Sequence, residues 1–324
     1  MASHQHPSAA DEALISDAQV ADYQRDGVII LRGLFSDWIT TLGAGVERLM
    51  ADPSPRERTV QPEDGSAPFF QDLCNWDRIE PFREFVLHSP MAAYAARLMG
   101  SRKARFFHDH VLVKRPGGST VTPWHQDHPY YCLEAEQSVS FWIPLDPVAE
   151  DVAMQSIRGS HRWGREFKPM RFNGQPLNDV DAFDTMPDIE AGRERHDIAT
   201  WALAPGDAIA FNFRTLHAAP GNHSATMRRV FSARWVGDDA VYRRRSGKIS
   251  PPIRDLGIPD GAPSMRRNSR LSTSAAEVQT HTVPAAASAH TPGAPYPDMG
   301  APATAGVDPP ENPTDIKRTS DSGH

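Results

Sequence analysis

In the first hundred residues the apolar positions recur at helical spacing, and residues that favour helix ends interrupt them. Ser16 followed by Gln19 has the pattern of a capping box, and Gly27 is a residue type that ends helices. Comparable start and stop signals recur twice further along the chain. The helices predicted in this way cover residues 16–27, 36–50 and 90–99.

From residue 106 onward the apolar positions alternate with polar ones, which is the period of β-strands. Turns that contain proline and glycine separate the alternating runs, and one earlier run is wholly aliphatic. The predicted strands cover residues 28–31, 107–113, 139–145, 154–157, 208–213 and 230–236. Helices followed by many short strands are typical of a β-sandwich or jelly roll with helices packed outside it, so we expect a mainly β fold with flanking helices.

The composition changes at both ends of the chain. Residues 1–14 are small and polar, and the last segment is rich in proline, alanine and serine, with Tyr296 as its only aromatic residue after Pro263. Such segments bury too little apolar surface to offset their chain entropy. The sequence therefore predicts one folded domain over residues 15–257 and disordered ends, the second of which covers residues 258–324.

Charge and cysteine content narrow the class of protein. A net charge of −7 argues against a nucleic-acid partner, because neutralising phosphates requires a basic surface. Two cysteines are too few for a disulfide framework, which fits a reducing compartment. The chain contains no run of eighteen apolar residues and begins without a signal-peptide pattern. We expect a cytoplasmic protein without a membrane partner, and the oligomeric state is not readable.

The segment Thr122-Pro-Trp-His125-Gln-Asp127 places an imidazole and a carboxylate on the same face of an extended chain. About ninety residues later, His217 follows a predicted strand and Arg228 begins another. Two imidazoles and one carboxylate on one face of a ferrous ion leave three positions open, which suit a chelating 2-oxo acid and dioxygen. Arg228 is the candidate for the distal carboxylate of that acid, because a guanidinium binds carboxylates with two parallel hydrogen bonds.

A second register is compatible with the same spacing. His223 precedes Arg234 by eleven residues, as His217 precedes Arg228. We favour His217 because it follows a strand, whereas residues around His223 have the composition of an exposed turn. Arg229 is expected to face solvent, because neighbouring strand residues point to opposite faces.

Several other residues have two readings each. His108 and His110 share a face, but no third ligand is evident nearby, so a second metal site is not expected. Trp142 fits either a wall of the co-substrate pocket or the core, and Lys114 fits either an anion contact or an exposed lysine. His161 is expected to make a structural hydrogen bond.

Residues 243–248 form a basic run that fits a solvated face or a contact for an anionic substrate, and the long polar stretch 166–200 fits a substrate-binding loop.

The chain resembles the phytanoyl-CoA dioxygenase family of Fe(II)/2-oxoglutarate oxygenases between about residues 20 and 245. The resemblance rests on short motifs: Val113-Lys-Arg-Pro-Gly117, Pro123-Trp-His-Gln-Asp127, Phe141-Trp-Ile-Pro-Leu-Asp-Pro147, Arg158-Gly-Ser-His161, Pro205-Gly-Asp207, Leu216-His217 and Met227-Arg-Arg-Val230. It implies a double-stranded β-helix core of the jelly-roll or cupin-like kind. It also implies that His125, Asp127 and His217 bind iron and that Arg228 and Thr122 bind 2-oxoglutarate.

The function implied by this resemblance is hydroxylation of a small organic molecule, with 2-oxoglutarate and dioxygen as co-substrates and succinate and carbon dioxide as by-products. Desaturation or ring closure at the same iron is an alternative, because the outcome depends on where the substrate lies. A non-catalytic ligand-binding jelly roll would require the three metal ligands to be separated in space. A metal-dependent isomerase or hydrolase is disfavoured by Arg228, since neither uses a 2-oxo acid.

Overall fold

A computed structural model of the protein describes residues 15–172, 174–177, 183–252 and 258–263. Within these residues the fold is mainly β with helices, as the alternating pattern predicts. The α-helices are α1 (Asp17–Asp26), α2 (Ile39–Ala51), α3 (Glu80–His88) and α4 (Met91–Met99). The strands are β1 (Val28–Leu31), β2 (Phe69–Leu73), β3 (Arg105–Lys114), β4 (Thr122–His125), β5 (Leu133–Glu134), β6 (Ser138–Pro144), β7 (Gln155–Ile157), β8 (Ile198–Ala199), β9 (Ala208–Phe211), β10 (His217–Ala219), β11 (Arg228–Val236) and β12 (Val241–Tyr242).

Antiparallel pairing organises these strands into sheets. The largest has six strands in the order β1-β9-β6-β11-β3-β2, and a second has four strands in the order β4-β10-β7-β8. Strands β12 and β5 form a small third pair. Nearly all neighbours in these sheets are distant in sequence, so side chains from separate parts of the chain meet on one surface.

The two faces of β11 have different surroundings. Phe231 and Trp235 point toward the helices: the Phe231 ring lies 4.8 Å from that of Phe82 in α3, and both residues belong to the largest core cluster. The alternate residues Arg228, Ser232 and Arg234 line a cavity on the opposite face. Because a strand alternates its side chains, the core on one side fixes which residues face the cavity on the other.

The end of α1 is fixed as the sequence predicts. Ser16 and Gln19 form both hydrogen bonds of a capping box, and Gly27 terminates the helix with a φ of 71°. A Cβ atom at Gly27 would lie 2.2 Å from Nδ1 of His161, so no other residue type fits there. The Gly27 carbonyl accepts hydrogen bonds from Asn212 N (2.9 Å) and Thr215 Oγ1 (2.8 Å). This turn therefore joins the first helix to the segment that leads into β10.

The pattern does not predict every element correctly. Ser36 does not cap α2: it begins a short 3₁₀ turn, and α2 starts at Ile39 without a side-chain cap. Strand β2 and helix α3 were not predicted. In β2 the polar residue Asp72 is fully buried and accepts hydrogen bonds from Ser54, so the apolar alternation is interrupted. Helix α3 buries Phe82, Phe85 and Val86 at helical spacing, but no capping side chain marks its start and no glycine marks its end, unlike α4, which ends at Gly100.

The predicted disordered ends fall mostly outside the described residues. Of the tail predicted from residue 258, residues 258–263 are described, and they contact the strand pair β12–β5. Tyr242 N donates to the Ala262 carbonyl (2.8 Å), and Arg243 pairs with Asp260 (3.0 Å). The division into one domain and two ends remains a prediction. No helix in the described part of the chain is both long and apolar enough to cross a membrane.

Candidate active site

The structure brings His125, Asp127 and His217 together. Strands β4 and β10 are neighbours, and His217 lies directly opposite His125 in their register. Oδ1 of Asp127 is 3.8 Å from Nε2 of His125 and 3.9 Å from Nε2 of His217. Two ligands of one ion, each at a bond length of about 2.1 Å, lie at most about 4.2 Å apart. Both distances from Asp127 satisfy that limit, and the three donor atoms form a group of possible metal ligands within 4.8 Å of one another.

Backbone carbonyls set the tautomer of both imidazoles. Nδ1 of His125 lies 2.8 Å from the Pro123 carbonyl, and Nδ1 of His217 lies 3.0 Å from the Thr215 carbonyl. Each Nδ1 therefore carries the hydrogen and donates it, which leaves the lone pair of Nε2 directed at Asp127. Burial lowers the pKa of both imidazoles below the usual range, that of His217 to about 3. Both rings are neutral at physiological pH, as metal ligands must be.

Asp127 is held as a carboxylate. Its burial alone would raise its pKa, but opposing effects, of which the positive charge of Arg234 is the largest, hold the pKa well below the usual range. Nη2 of Arg234 lies 3.6 Å from Oδ2, and Ser140 donates to the same oxygen at 3.3 Å. These contacts leave Oδ1 as the oxygen that faces the two imidazoles.

Two buried cations lie further along the same cavity wall. Lys114 and Arg228 are directly opposite each other in the register of β3 and β11, and they are 3% and 4% exposed. Nζ of Lys114 and Nη2 of Arg228 both donate to the Pro220 carbonyl, at 2.9 and 3.0 Å, and Arg228 Nη1 also donates to the Val152 carbonyl. Burial, with the charge of Arg228, lowers the pKa of Lys114 to about 6, and burial lowers that of Arg228 to about 10. No described carboxylate pairs with either side chain, so the carboxylate of a ligand can pair with Arg228 and favour the charged form of Lys114.

The other predicted co-substrate residues also lie at this cavity. Thr122 Oγ1 accepts a hydrogen bond from Lys114 Nζ at 3.2 Å. Trp142 is 5% exposed and forms part of the wall between the metal ligands and the cations, on β6 opposite Ser232. The reading of Trp142 as a pocket wall therefore accords with its position, although it also belongs to a core cluster.

The second register does not form a site. His223 is 65% exposed and pairs with Asp151 at 2.9 Å, while Arg234 lies beside the metal-facing carboxylate of Asp127. The expectation that Arg229 faces solvent is wrong, because its guanidinium pairs with Asp146 at 2.7 Å and is only 24% exposed. The loop that follows β6 supplies that carboxylate, which the alternation of β11 alone does not reveal.

The remaining histidines singled out in the sequence belong to neither group of possible metal ligands among the described residues. His108 and His110 line the cavity, and no described carboxylate or thiol completes a metal-binding group with them. His161 lies against Gly27, and its Nε2 is 3.3 Å from the Gln24 carbonyl, which matches the expected structural hydrogen bond.

The cavity is large and reaches from the metal ligands to two surface segments. Its volume is about 1210 Å³, and it is lined in part by Met170, Phe172 and Leu177 from the long polar stretch and by Arg244, Arg245 and Lys248 from the basic run. Phe172 is 38% exposed and contacts Phe69 of β2 edge-on, with ring centroids 5.5 Å apart. The cavity is therefore large enough to hold a substrate molecule as well as a co-substrate.

Sequence reasoning missed one polar cluster behind the site. His128, Glu134 and Glu166 place ligand atoms within 4.8 Å of one another, with Arg214 between the two carboxylates. Strand β4 ends at His125 and His128 begins a 3₁₀ turn, so strand alternation does not assign the direction of its side chain. Its partners come from distant segments, which no local pattern predicts.

Two histidines and one carboxylate with open positions are the pattern of non-haem Fe(II) oxygenases, and a buried guanidinium in the same cavity suits the carboxylate of a 2-oxo acid. The profile of the phytanoyl-CoA dioxygenase (PhyH) family matches residues 23–230, so the chain belongs to that family. This confirms the resemblance seen in the sequence motifs, and it confirms that the protein is an enzyme of the dioxygenase class.

Individual relatives are distant. The ectoine dioxygenase of Bordetella bronchiseptica is 24% identical over 269 residues, covering 76% of this chain and 83% of the relative. The solved structure of the carbocyclase SnoK from nogalamycin biosynthesis matches with a TM-score of 0.62 and 22% identity, covering 81% of this chain and 97% of SnoK. EctD from S. alaskensis, solved with 2-oxoglutarate and 5-hydroxyectoine, matches with a TM-score of 0.60 and 19% identity over 81% and 89% of the two chains. These structures share the fold of this protein.

Proposed function

We propose that this protein is an Fe(II)/2-oxoglutarate-dependent dioxygenase that hydroxylates a small organic molecule, on a double-stranded β-helix core. The observation that carries the proposal is that one cavity holds both the convergent His-Asp-His set and the unmatched Lys114–Arg228 pair. Neither feature alone requires a 2-oxo acid. Together they supply a ferrous site and a place for the distal carboxylate of a dicarboxylate co-substrate.

The donor set fits iron(II). Neutral imidazoles and a carboxylate suit a ferrous ion, and three protein ligands leave the remaining positions for co-substrate and dioxygen. In this assignment His125, Asp127 and His217 bind the metal through Nε2, Oδ1 and Nε2. When bound, iron supplies the activation of dioxygen that is coupled to conversion of 2-oxoglutarate into succinate and carbon dioxide.

In this proposal the chain's own residues bind and orient the co-substrate and the metal-binding carboxylate. Arg228 pairs with the distal carboxylate of 2-oxoglutarate, Lys114 adds a second positive charge, and Thr122 holds the ammonium of Lys114 in place. Trp142 forms the wall along which the co-substrate lies. Arg234 and Ser140 keep Oδ2 of Asp127 occupied, so that the carboxylate offers one oxygen to the metal.

Hydroxylation is the outcome we favour among those open to this enzyme class. A non-catalytic jelly roll would require a separated triad, but the three donor atoms lie together. Asp127 also fills the position that a halide ligand would need, so chlorination is not expected. Desaturation and ring closure depend on the placement of the substrate, and a carbocyclase and an epimerase are among the proteins with this fold.

The test is to load the protein with Fe(II) without oxygen and then to add 2-oxoglutarate, oxygen and a metabolite extract. Mass spectrometry should show succinate together with a product that has gained one oxygen atom. Asp127→Ala should abolish both signals, because the metal loses its only anionic protein ligand. Succinate formation that is equal in Asp127→Ala and the unmodified protein would refute the assignment of the metal site.

A further inference from the structure

The residue between the two metal ligands of the β4 segment faces away from the metal. Gln126 is 2% exposed, and its amide makes three hydrogen bonds. All three partners are backbone groups: the carbonyl oxygens of Arg214 (2.9 Å) and Arg165 (3.1 Å) and the N–H of Phe167 (3.1 Å). One side chain therefore joins the segment of His125 and Asp127 to two separate parts of the chain.

His128, the next residue on that side, is fully buried between two carboxylates. Its Nδ1 lies 2.5 Å from Oε1 of Glu166, and its Nε2 lies 3.3 Å from Oε1 of Glu134. Arg214 contacts the same two oxygens, at 2.7 Å for Glu166 and 2.5 Å for Glu134. Burial would raise the pKa of Glu166, but His128 and Arg214 outweigh it and hold that pKa at about 2.

These five residues, Gln126, His128, Glu134, Glu166 and Arg214, form what we call the rear network. Its histidine and two carboxylates have the spacing of a metal site. However, Arg214 contacts both carboxylates, and Arg243 and Arg245 lie 3.6 and 3.8 Å from Glu134, so three guanidinium groups already surround them. A divalent ion there would lie among positive charges, so the arrangement fits a positioning role and not a second metal.

We propose that the rear network positions the metal ligands, with Gln126 and His128 fixing Asp127 and Arg214 fixing the segment of His217. This inference rests on the proposed function. His128 N donates to the Phe213 carbonyl at 2.9 Å, and Arg214 is three residues before His217. The network therefore ties both ligand-bearing segments to one set of polar contacts. Groups behind the ligands of a metal site commonly change metal affinity by about 10–100-fold when they are mutated.

Two isosteric substitutions test the proposal with Co(II) alone as the probe. Gln126→Glu places a carboxylate against two carbonyl oxygens, and Glu166→Gln removes the charge that Arg214 and His128 share. Each variant should bind Co(II) about tenfold or more weakly and should show a changed ligand-field absorption spectrum, because the ligand geometry changes. Circular dichroism establishes that each variant is folded.

Two controls separate positioning from general loss of stability. Arg165→Ala removes an exposed ion pair with Asp184 (2.7 Å) from the same segment but keeps the carbonyl that Gln126 uses. Ser16→Ala removes the cap of α1, far along the chain from the network. Both should keep the Co(II) affinity and spectrum of the unmodified protein.

The outcomes distinguish this inference from the proposed function. If folded Gln126→Glu and Glu166→Gln keep the affinity and spectrum of the unmodified protein, or if Ser16→Ala loses as much affinity as they do, the positioning role is wrong. If His125→Ala binds Co(II) as the unmodified protein does, the proposed metal site itself is wrong. Loss in His125→Ala without loss in the network variants rejects the positioning role alone.

Discussion

At the scale of single residues, the chemistry depends on a few charges that the protein does not neutralise by itself. Lys114 and Arg228 both donate to the Pro220 carbonyl, and no carboxylate of the described residues pairs with either side chain. The proximity of His125, Asp127, His217 and Arg228 could be predicted from the residue types and spacing of the sequence motifs. Strand alternation explains less of it, because β4 ends at His125 before Asp127. The burial of Lys114 could not, because it depends on the register between β3 and β11, which are more than a hundred residues apart.

Replacing Arg228 should affect the co-substrate far more than the metal. Truncating one member of a buried charge pair costs about 2–5 kcal/mol, which is roughly thirty-fold to several thousand-fold in affinity. We expect that loss of 2-oxoglutarate affinity in Arg228→Ala with iron still bound, and partial recovery in Arg228→Lys, which lacks the planar fork. Anaerobic titration of the charge-transfer absorption between iron and the 2-oxo acid measures it.

The matched control for that experiment is Arg229→Ala. Arg229 is adjacent in sequence but pairs with Asp146 outside the cavity, so its loss should reduce stability slightly and leave 2-oxoglutarate affinity unchanged. Equal affinity in Arg228→Ala and the unmodified protein would show that the co-substrate carboxylate binds elsewhere.

The affinity for 2-oxoglutarate should depend on pH through Lys114. Its pKa in the free protein is lowered to about 6, and a bound carboxylate favours the charged form and so raises it. Affinity should therefore be constant below about pH 6 and should fall as the pH rises above 6, until the pKa of the complex is reached. In Lys114→Met this fall should disappear. The same absorption titration, repeated between pH 6 and 9, would contradict the assignment if both proteins gave identical profiles.

At the scale of elements, local signals predicted the helices and strands whose ends carry distinct residues. The two ends of α1, at Ser16 and Gly27, could be predicted because a capping box and a left-handed glycine are local features. Strand β2 was not predictable, because its buried residue Asp72 is polar and accepts hydrogen bonds from Ser54, which lies in a separate segment. The rear network was not predictable for the same reason, since its members come from four segments.

Two glycine substitutions should have opposite effects on stability. Gly27→Ala forces a residue with a Cβ into φ 71° and against His161, which costs at least about 1–2 kcal/mol for the left-handed conformation alone. Gly43→Ala lies inside α2 with nothing within 4 Å of the new Cβ, and it should stabilise the protein by about 0.5–1 kcal/mol. Urea unfolding of the three proteins measures both changes, and a stabilised Gly27→Ala would contradict the role of that turn.

At the scale of the whole molecule, the family match ends at residue 230, but described contacts continue to Pro263. The mainly β architecture was predictable from the change of hydrophobic period. The order of strands in the sheets was not, because neighbouring strands are far apart in sequence and only their packing selects partners. The lining of the cavity depends on that strand order, so it could not be predicted from the sequence either.

Truncation should locate the functional end of the chain. A protein ending at residue 263 should keep the thermal midpoint and the 2-oxoglutarate affinity of the full chain, because the composition of the removed segment cannot support a core. A protein ending at residue 240 loses β12, including the buried Tyr242, and should be clearly less stable. Thermal unfolding of the three lengths decides, and a large loss in the 263-residue form would show that the tail contributes to the fold.

The buried pair of Lys114 on β3 and Arg228 on β11 also makes the stability of the enzyme depend on the concentration of its co-substrate. In the protein without co-substrate, no carboxylate of the described residues pairs with Lys114 or Arg228, and burial together with the charge of Arg228 lowers the pKa of Lys114 to about 6. A ligand present at a hundred times its dissociation constant adds about 2.7 kcal/mol of stability. Proteases act on the fraction of molecules that is open. In a cell poor in 2-oxoglutarate, this enzyme should therefore be degraded faster, so that its abundance follows the supply of the molecule it consumes.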